Sequence, residues 1–246
     1  MPQVTDSKWV EYAGWDDVPH ITEEEKTKQL AATPPHLRKA RSLGIPSLGS
    51  GAIYPIDPEE FIVDPFPVPE FWYRGYGLDV GWNKTAAIFG ALDRDSDVLY
   101  LISEHYRGMA EPEVHARAIN ARGSWQPGFI DPAAAGAGQI DGKRLKDLYI
   151  GLGLNLTNAE NAVEAGLLEV YSRMSSGRLK VFRNLTDWQR EHRLYRRDEK
   201  GKIVKKNDHL MDATRYLCMS ASQMALRPAE PKQNMNRKSP AERYIN

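Results

Sequence analysis

The sequence predicts an α/β domain preceded by an irregular N-terminal extension. Three observations carry that expectation. From Tyr73 onward, strand-like and helix-like patterns succeed one another. Ahead of about residue 70, prolines recur at Pro19, Pro34, Pro35, Pro46, Pro55, Pro58, Pro65, Pro67 and Pro69, a density that breaks regular structure. Beyond Arg227 the chain is polar and proline-bearing, as an exposed tail is.

In the extension, a helix fits residues 22–32. Thr22 serves as N-cap, and Glu23, Glu24 and Glu25 lie in the first turn, where the helix dipole favours acids. Pro34-Pro35 stops it, and a short second helix fits 35–42. Gly49-Ser50-Gly51 and the Pro65/Pro67/Pro69 series suggest extended linker. In the domain, strands are expected over 73–80, 85–92 and 98–106, an antiparallel meander whose second break is the polar run from Asp93 to Asp97. A helix over 111–122 and a short buried strand over 128–131 follow. Helices are then expected over 143–149 and 161–175, a strand over 179–182, a helix over 185–192 and a hairpin over 195–204. A final helix over 208–224 sets Leu210, Met211, Thr214, Leu217, Cys218 and Ala221 on one face at helical spacing.

Composition narrows the setting. The chain has 246 residues, 41% hydrophobic and 27% charged, enough for a packed core and a polar surface. No apolar run approaches the ~20 residues of a membrane span, and no signal-peptide pattern opens the chain. One cysteine excludes an internal disulfide framework and a multi-cysteine zinc site, which suits a reducing compartment. Lys plus Arg and Asp plus Glu number 33 each, so there is no overall basic excess. The charge is uneven, however: basic residues crowd 183–206 and acids crowd the extension. A local basic stripe can bind phosphates while the total stays neutral.

Three acidic features carry chemistry. Asp79, in Gly77-Leu78-Asp79-Val80-Gly81, closes a strand, and the glycine two residues on leaves room for a metal or a phosphate. A turn-capping aspartate, or the Asp-x-Gly phosphate loop of actin-like kinases, would give the same pattern. Asp131, in Phe129-Ile130-Asp131-Pro132, also ends an apolar strand and precedes the small residues 133–138. A turn residue ahead of proline is the alternative. In Asn207-Asp208-His209-Leu210-Met211-Asp212, the two aspartates are four apart on one helix face, with His209 close by. They repel unless a cation lies between them or Asp208 is only the N-cap. Asp212 is a poor helix former inside a helix, a cost that suggests a role, although a solvated acid is the bland alternative.

Together these acids could converge on Mg²⁺ or Mn²⁺, hard cations that prefer carboxylate oxygen. Two such ions about 3.5–4 Å apart promote phosphodiester cleavage. Directly ahead of the third feature stand Arg196, Arg197, Lys200, Lys202, Lys205 and Lys206, which could track a DNA backbone or form a merely solvated hairpin. Other signals fail. Residues 137–144 approximate a P-loop but put Ala137 where glycine is needed and Arg144 where Ser or Thr is needed. Asp16-Asp17-Val18-Pro19-His20 suits a surface loop, Cys218 suits the core, and His105 and His115 have no partner identifiable from sequence.

Gly77–Gly81, Phe129–Pro132 and Asn207–Tyr216, taken in order, resemble the C-terminal nuclease domain of phage terminase large subunits over about 73–222. The resemblance implies an RNase H-like fold, a mixed five-stranded sheet flanked by helices, over 71–224. It implies that 1–70 resembles the junction with an ATPase motor and that 225–246 is a tail. It further implies metal-dependent cutting of concatemeric viral DNA by two ions, Mg²⁺ or Mn²⁺. Asp79 would bridge the ions, Asp131 and Asp212 would each complete one, and Asp208 and His209 would be nearby or alternative ligands. The implied partners are double-stranded DNA, portal protein, the small terminase subunit and a separate ATPase motor, in the host cytoplasm and with no membrane. Another RNase H-like nuclease of the resolvase or transposase type, or a catalytically silent DNA- or portal-docking module, remains the alternative.

Overall fold

The computed structural model describes residues 14–17, 20–33, 38–43, 51–132 and 145–229. The small-residue run after Asp131, the P-loop-like stretch, Pro34-Pro35 and the far tail lie outside the described residues. In chain order the elements are α1 (Glu23–Ala31), α2 (Arg38–Leu43), α3 (Pro58–Phe61), β1 (Ile62–Val63), β2 (Tyr73–Asp79), β3 (Thr85–Asp93), β4 (Val98–Arg107), α4 (Pro112–Asn120) and β5 (Gly128–Ile130). There follow α5 (Leu145–Gly151), β6 (Leu156–Asn158), α6 (Val163–Ser175), β7 (Leu179–Phe182), α7 (Thr186–Leu194) and α8 (His209–Met219).

The expected meander forms, with β3 pairing antiparallel to both β2 and β4. The sheet is mixed: β5 runs parallel to β2, and β7 parallel to β4. It has seven strands rather than the five expected, in the order β1-β7-β4-β3-β2-β5-β6. The two additions are the edges. β1 is two residues long and β6 three. Segments so short carry no readable alternation, and pairing context rather than propensity makes them strands. The helix expected over 208–224 ends at Met219, and Ala221–Gln223 forms a 3-10 turn. The hairpin over 195–204 narrows to one bridge, Arg197 with Ile203, around a turn in which Gly201 has φ +75. Its first arm is bonded to the stretch before β1 through Ile53 N–H to Tyr195 O and Arg197 N–H to Gly51 O.

Strand alternation sorts the core into two layers. On one face, Ala86, Ile88, Leu99, Leu101 and Phe129 pack against α6, α7 and α8. Tyr54, Ile56 and Phe61, from the stretch expected to be linker, are buried in that same layer. On the other face, Tyr76, Leu78, Ala87, Phe89 and Ile130 meet Ala116 and Ile119 of α4 and Tyr149 of α5. β3 is buried on both faces from Thr85 to Leu92, as a central strand covered by helices should be.

α8 is the most enclosed helix: every residue from Leu210 to Cys218 is buried. β2 makes this possible. A Cβ on Gly77 would collide with the carbonyl oxygen of Ala213, and one on Gly75 would press on Met224 and Phe129. The missing side chain of Gly77 lets the helix backbone lie directly on the strand. Inside α8 the Thr214 hydroxyl is matched: it accepts from the Trp188 indole N–H at 2.8 Å and donates to Leu210 O at 2.7 Å.

Gly77→Ala is therefore expected to cost about 3 kcal/mol, because backbone rather than a pliable side chain must move. Gly151→Ala, whose Cβ would meet nothing within 4 Å, serves as control and should leave stability unchanged. Urea unfolding of the two variants checks this, and equal midpoints would refute the close-approach account.

Candidate active site

Asp79 is the last residue of β2, and β2 pairs in parallel with β5 so that Leu78 sits beside Ile130. Asp79 and Asp131 are the next residues outward on these neighbouring strands, which lie about 4.8 Å apart. Alternation puts Asp79 on the same face as Gly75 and Gly77, the face covered by α8. The strand that brings the helix close thus ends with a carboxylate beneath the helix N-terminus. There His209 Nδ1 lies 2.8 Å from Asp79 Oδ2.

Asp131 is held from two sides. The Asn161 amide donates to Oδ1 at 3.0 Å, and the Tyr216 hydroxyl donates to Oδ2 at 3.0 Å. Asp212, one helical turn into α8, accepts from Arg215 at 3.2 Å and from the Lys205 ammonium at 3.0 Å. Arg215 also donates to Asn161 Oδ1 at 3.1 Å, so a continuous set of bonds joins Asp131 to Asp212. Arg215 is 2% exposed and lies against Gly166 of α6, where any Cβ would collide with it.

Asp208 occupies the N-cap position, but its carboxylate makes no cap bond. It pairs instead with Lys205 at 3.2 Å. The cap is supplied from α7: Glu191, fully buried, accepts from Leu210 N–H at 2.6 Å and from the Tyr106 hydroxyl at 2.6 Å. This replaces the expected Asp208 cap. A buried carboxylate on α7 can meet the helix dipole and two donors at once, whereas Asp208 faces a lysine.

The acids share one field. Burial pushes the Asp79 carboxyl above its ordinary range; the His209 bond opposes this, and the charges of Asp212 and Asp208 add to it. The bond to Asp79 lifts the His209 imidazole above its ordinary value, against the effect of burial. Burial opposes the charge on Lys205, yet Asp212 and Asp208 outweigh it and hold the ammonium more firmly protonated.

The structure thus gathers Asp79, Asp131, Asp208, His209 and Asp212 at one end of the sheet: Asn161, Arg215 and Lys205 link Asp131, Asp212 and Asp208, while Asp79 pairs with His209. Among the described residues no three acids, histidines or cysteines converge closely enough to hold a metal ion as they stand. The donor chemistry still suits a hard divalent cation. The ammonium of Lys205, set between two carboxylates, already occupies a cation position there.

The six basic residues divide. Lys205 belongs to the acidic cluster, and Arg197 is tied to Glu164 at 2.6 Å and to Gly201 O at 2.9 Å. Arg196, Lys200, Lys202 and Lys206 are exposed. Asn161, Glu191, Arg215 and Tyr216 were not singled out by sequence reasoning. Arg215 had a local signal, lying one turn from Asp212 inside the quoted motif. Glu191 had none, because its partners lie far along the chain.

This mixed sheet flanked by helices, with carboxylates at two neighbouring strand ends, is an RNase H-like fold. Residues 76–221 match the family model described as the terminase RNase H-like domain. The large terminase subunits of Salmonella phage P22 and Enterobacteria phage LP7 are each 36% identical over 213 residues. These alignments cover 81% of this chain but 42% and 44% of those proteins, so the chain spans less than half the length of the curated relatives it matches. The solved nuclease domain of the P22 large terminase superposes with a TM-score of 0.64 at 34% identity, covering 73% of this chain and 96% of that domain. The large terminase of the thermophilic bacteriophage D6E shares the fold, with a TM-score of 0.59 at 22% identity, covering 84% of this chain and 54% of that one. The chain belongs to the RNase H-like nuclease family of phage terminase large subunits.

The Asp79–His209 pair gives a pH signature. A histidine raised above its ordinary value of 6.5 contributes stability that is fully present below that value and fades as pH climbs through the raised one. In an NMR titration, the His209 ring should reach its midpoint above 6.5, and Asp79→Asn should bring that midpoint down. An unmoved midpoint would dissolve the pair.

Proposed function

We propose that this chain is a metal-dependent DNA endonuclease module that cuts concatemeric viral DNA during genome packaging. Asp79, Asp131 and Asp212 would hold two divalent ions, Mg²⁺ or Mn²⁺. The observation that carries this reading is the placement of Asp79 and Asp131 side by side beyond the paired Leu78 and Ile130, beneath the acid-bearing start of α8. Such ions supply an activated water and stabilise the leaving oxygen of a phosphodiester.

The chain's own residues do the positioning. His209 steadies Asp79, while Asn161 and Tyr216 each fix one oxygen of Asp131. Arg215 orients Asp212 through one oxygen, which leaves the other to Lys205. Divalent cations and the Lys205 ammonium therefore compete for the same carboxylates, and half-exposed Lys205 can turn outward toward phosphate. Arg196, Lys200, Lys202 and Lys206 extend positive charge toward a DNA backbone. The partners in this reading are double-stranded DNA, portal protein, the small terminase subunit and an ATPase motor, to which residues before about 70 would be joined.

Supercoiled plasmid with Mn²⁺ tests the reading. Wild type should nick and linearise it, and Asp79→Asn should cut more than ~100-fold more slowly, beyond the effect expected of a supporting residue. Undiminished cutting by Asp79→Asn would overturn the site. DNA binding by the wild type with no metal-dependent cutting would favour a docking module.

A further inference from the structure

Two of the most exposed large apolar side chains stand at the acidic end of the sheet. Trp82 is 65% exposed and lies three residues past Asp79; Met109 is 78% exposed and lies two residues past the end of β4. β2, β3 and β4 place these loops at one end, because Asp79 pairs with Ala86 and Ala86 pairs with Tyr106.

The two loops are locked together. Met109 N–H donates to Trp82 O at 2.9 Å. A Cβ on Gly108 would collide with the carbonyl oxygen of Asn83, so the backbones touch. Met109 itself is held at φ +49, a conformation a methionine adopts only when its surroundings fix it. Thr85 donates to Gly81 O at 3.1 Å, and the Lys84 ammonium sits 4.2 Å from the Tyr106 ring centre. Burial in the core explains neither side chain.

The two loops themselves carry cations, with Asp79, Glu104 and Glu111 just outside them. Residues 80–92 and 105–110 contain no carboxylate, while Lys84 and Arg107 flank the apolar pair. An aromatic ring, a methionine and two cations at a rigid edge form a platform for bases with a grip for phosphates.

We propose that Trp82 and Met109 form a fixed apolar wedge that stacks on nucleic-acid bases beside the acidic end of the sheet, with Lys84 and Arg107 holding the flanking phosphates. The proposal rests on the reading of that end as the DNA-cleaving site. The ligand is DNA with an opened or deformable base step, and the wedge sets which step lies over Asp79 and Asp131.

The test uses the full chain in EDTA, where cutting is silent, with a duplex and a single strand carrying 2-aminopurine. Wild type should perturb the 2-aminopurine emission on binding. Trp82→Ala should abolish that change and weaken binding about tenfold, the scale of one lost stacking contact. Trp82→Phe should stay within about threefold of wild type, since a ring is retained. Circular dichroism confirms that the variants are folded, as expected at an exposed position. Unaltered binding and emission with Trp82→Ala would overturn the wedge, as would a Phe variant as weak as the Ala one. Wild type that fails to cut plasmid with Mn²⁺, yet shows the Trp82-dependent response, loses the nuclease reading and keeps the wedge. Wild type that cuts, with Trp82→Ala matching it throughout, loses the wedge alone.

Discussion

The backbone contact between α8 and β2 is the constraint on which the rest depends. A side-chain-bearing residue at 77 would hold the helix off the sheet. His209 could not then reach Asp79, and Asp212 would leave the field that Asp79 feels. A second close approach completes the arrangement: Gly166 admits the stem of Arg215 between α6 and α8, and this buried guanidinium carries Asn161 on one side and Asp212 on the other. Glycines on a strand and on a helix therefore set the geometry of carboxylates they never touch.

Electrostatics explains how several acids coexist at one end of a sheet. Each has compensating partners: His209 for Asp79, hydrogen-bond donors from Asn161 and Tyr216 for Asp131, Arg215 for Asp212, and Lys205 shared between Asp212 and Asp208. Buried charges left unpaired would be costly. The partners differ in exposure. Arg215 is enclosed on all sides, whereas the Lys205 side chain is 61% exposed. The fold thus provides enclosed compensation at the rear of the site and exposed compensation at its mouth.

Much of this was legible in the sequence. Asp79 and Asp131 stood out because each ends a short apolar run, and strand ends are readable from local composition. The meander was readable from the polar run Asp93–Asp97, and the N-cap at Thr22 from the acids that follow it; that Glu25 completes a capping box with Thr22 is seen only in the structure. What stayed hidden depends on tertiary pairing. β1 and β6 are strands only because β7 and β5 lie beside them. Tyr54 and Phe61 sit among prolines yet fill the core, since proline breaks helices and strands without preventing burial. Glu191 carried no signal in the sequence, because its role is fixed by Tyr106 and Leu210, distant in the chain. Sequence spacing gave Asp208 the cap position; only the fold shows that its carboxylate turns to Lys205 instead.

The lateness of α8 in the chain has a consequence for biosynthesis. β2 and β5 leave the ribosome long before His209 to Met219, and until that last helix docks, the glycine stripe of β2 has nothing to receive. Asp79 and Asp131 exist in the nascent chain without Asp212, without His209 and without the guanidinium that organises them. The cluster around Asp79 and Asp131 is therefore complete only once α8 has been made and docked.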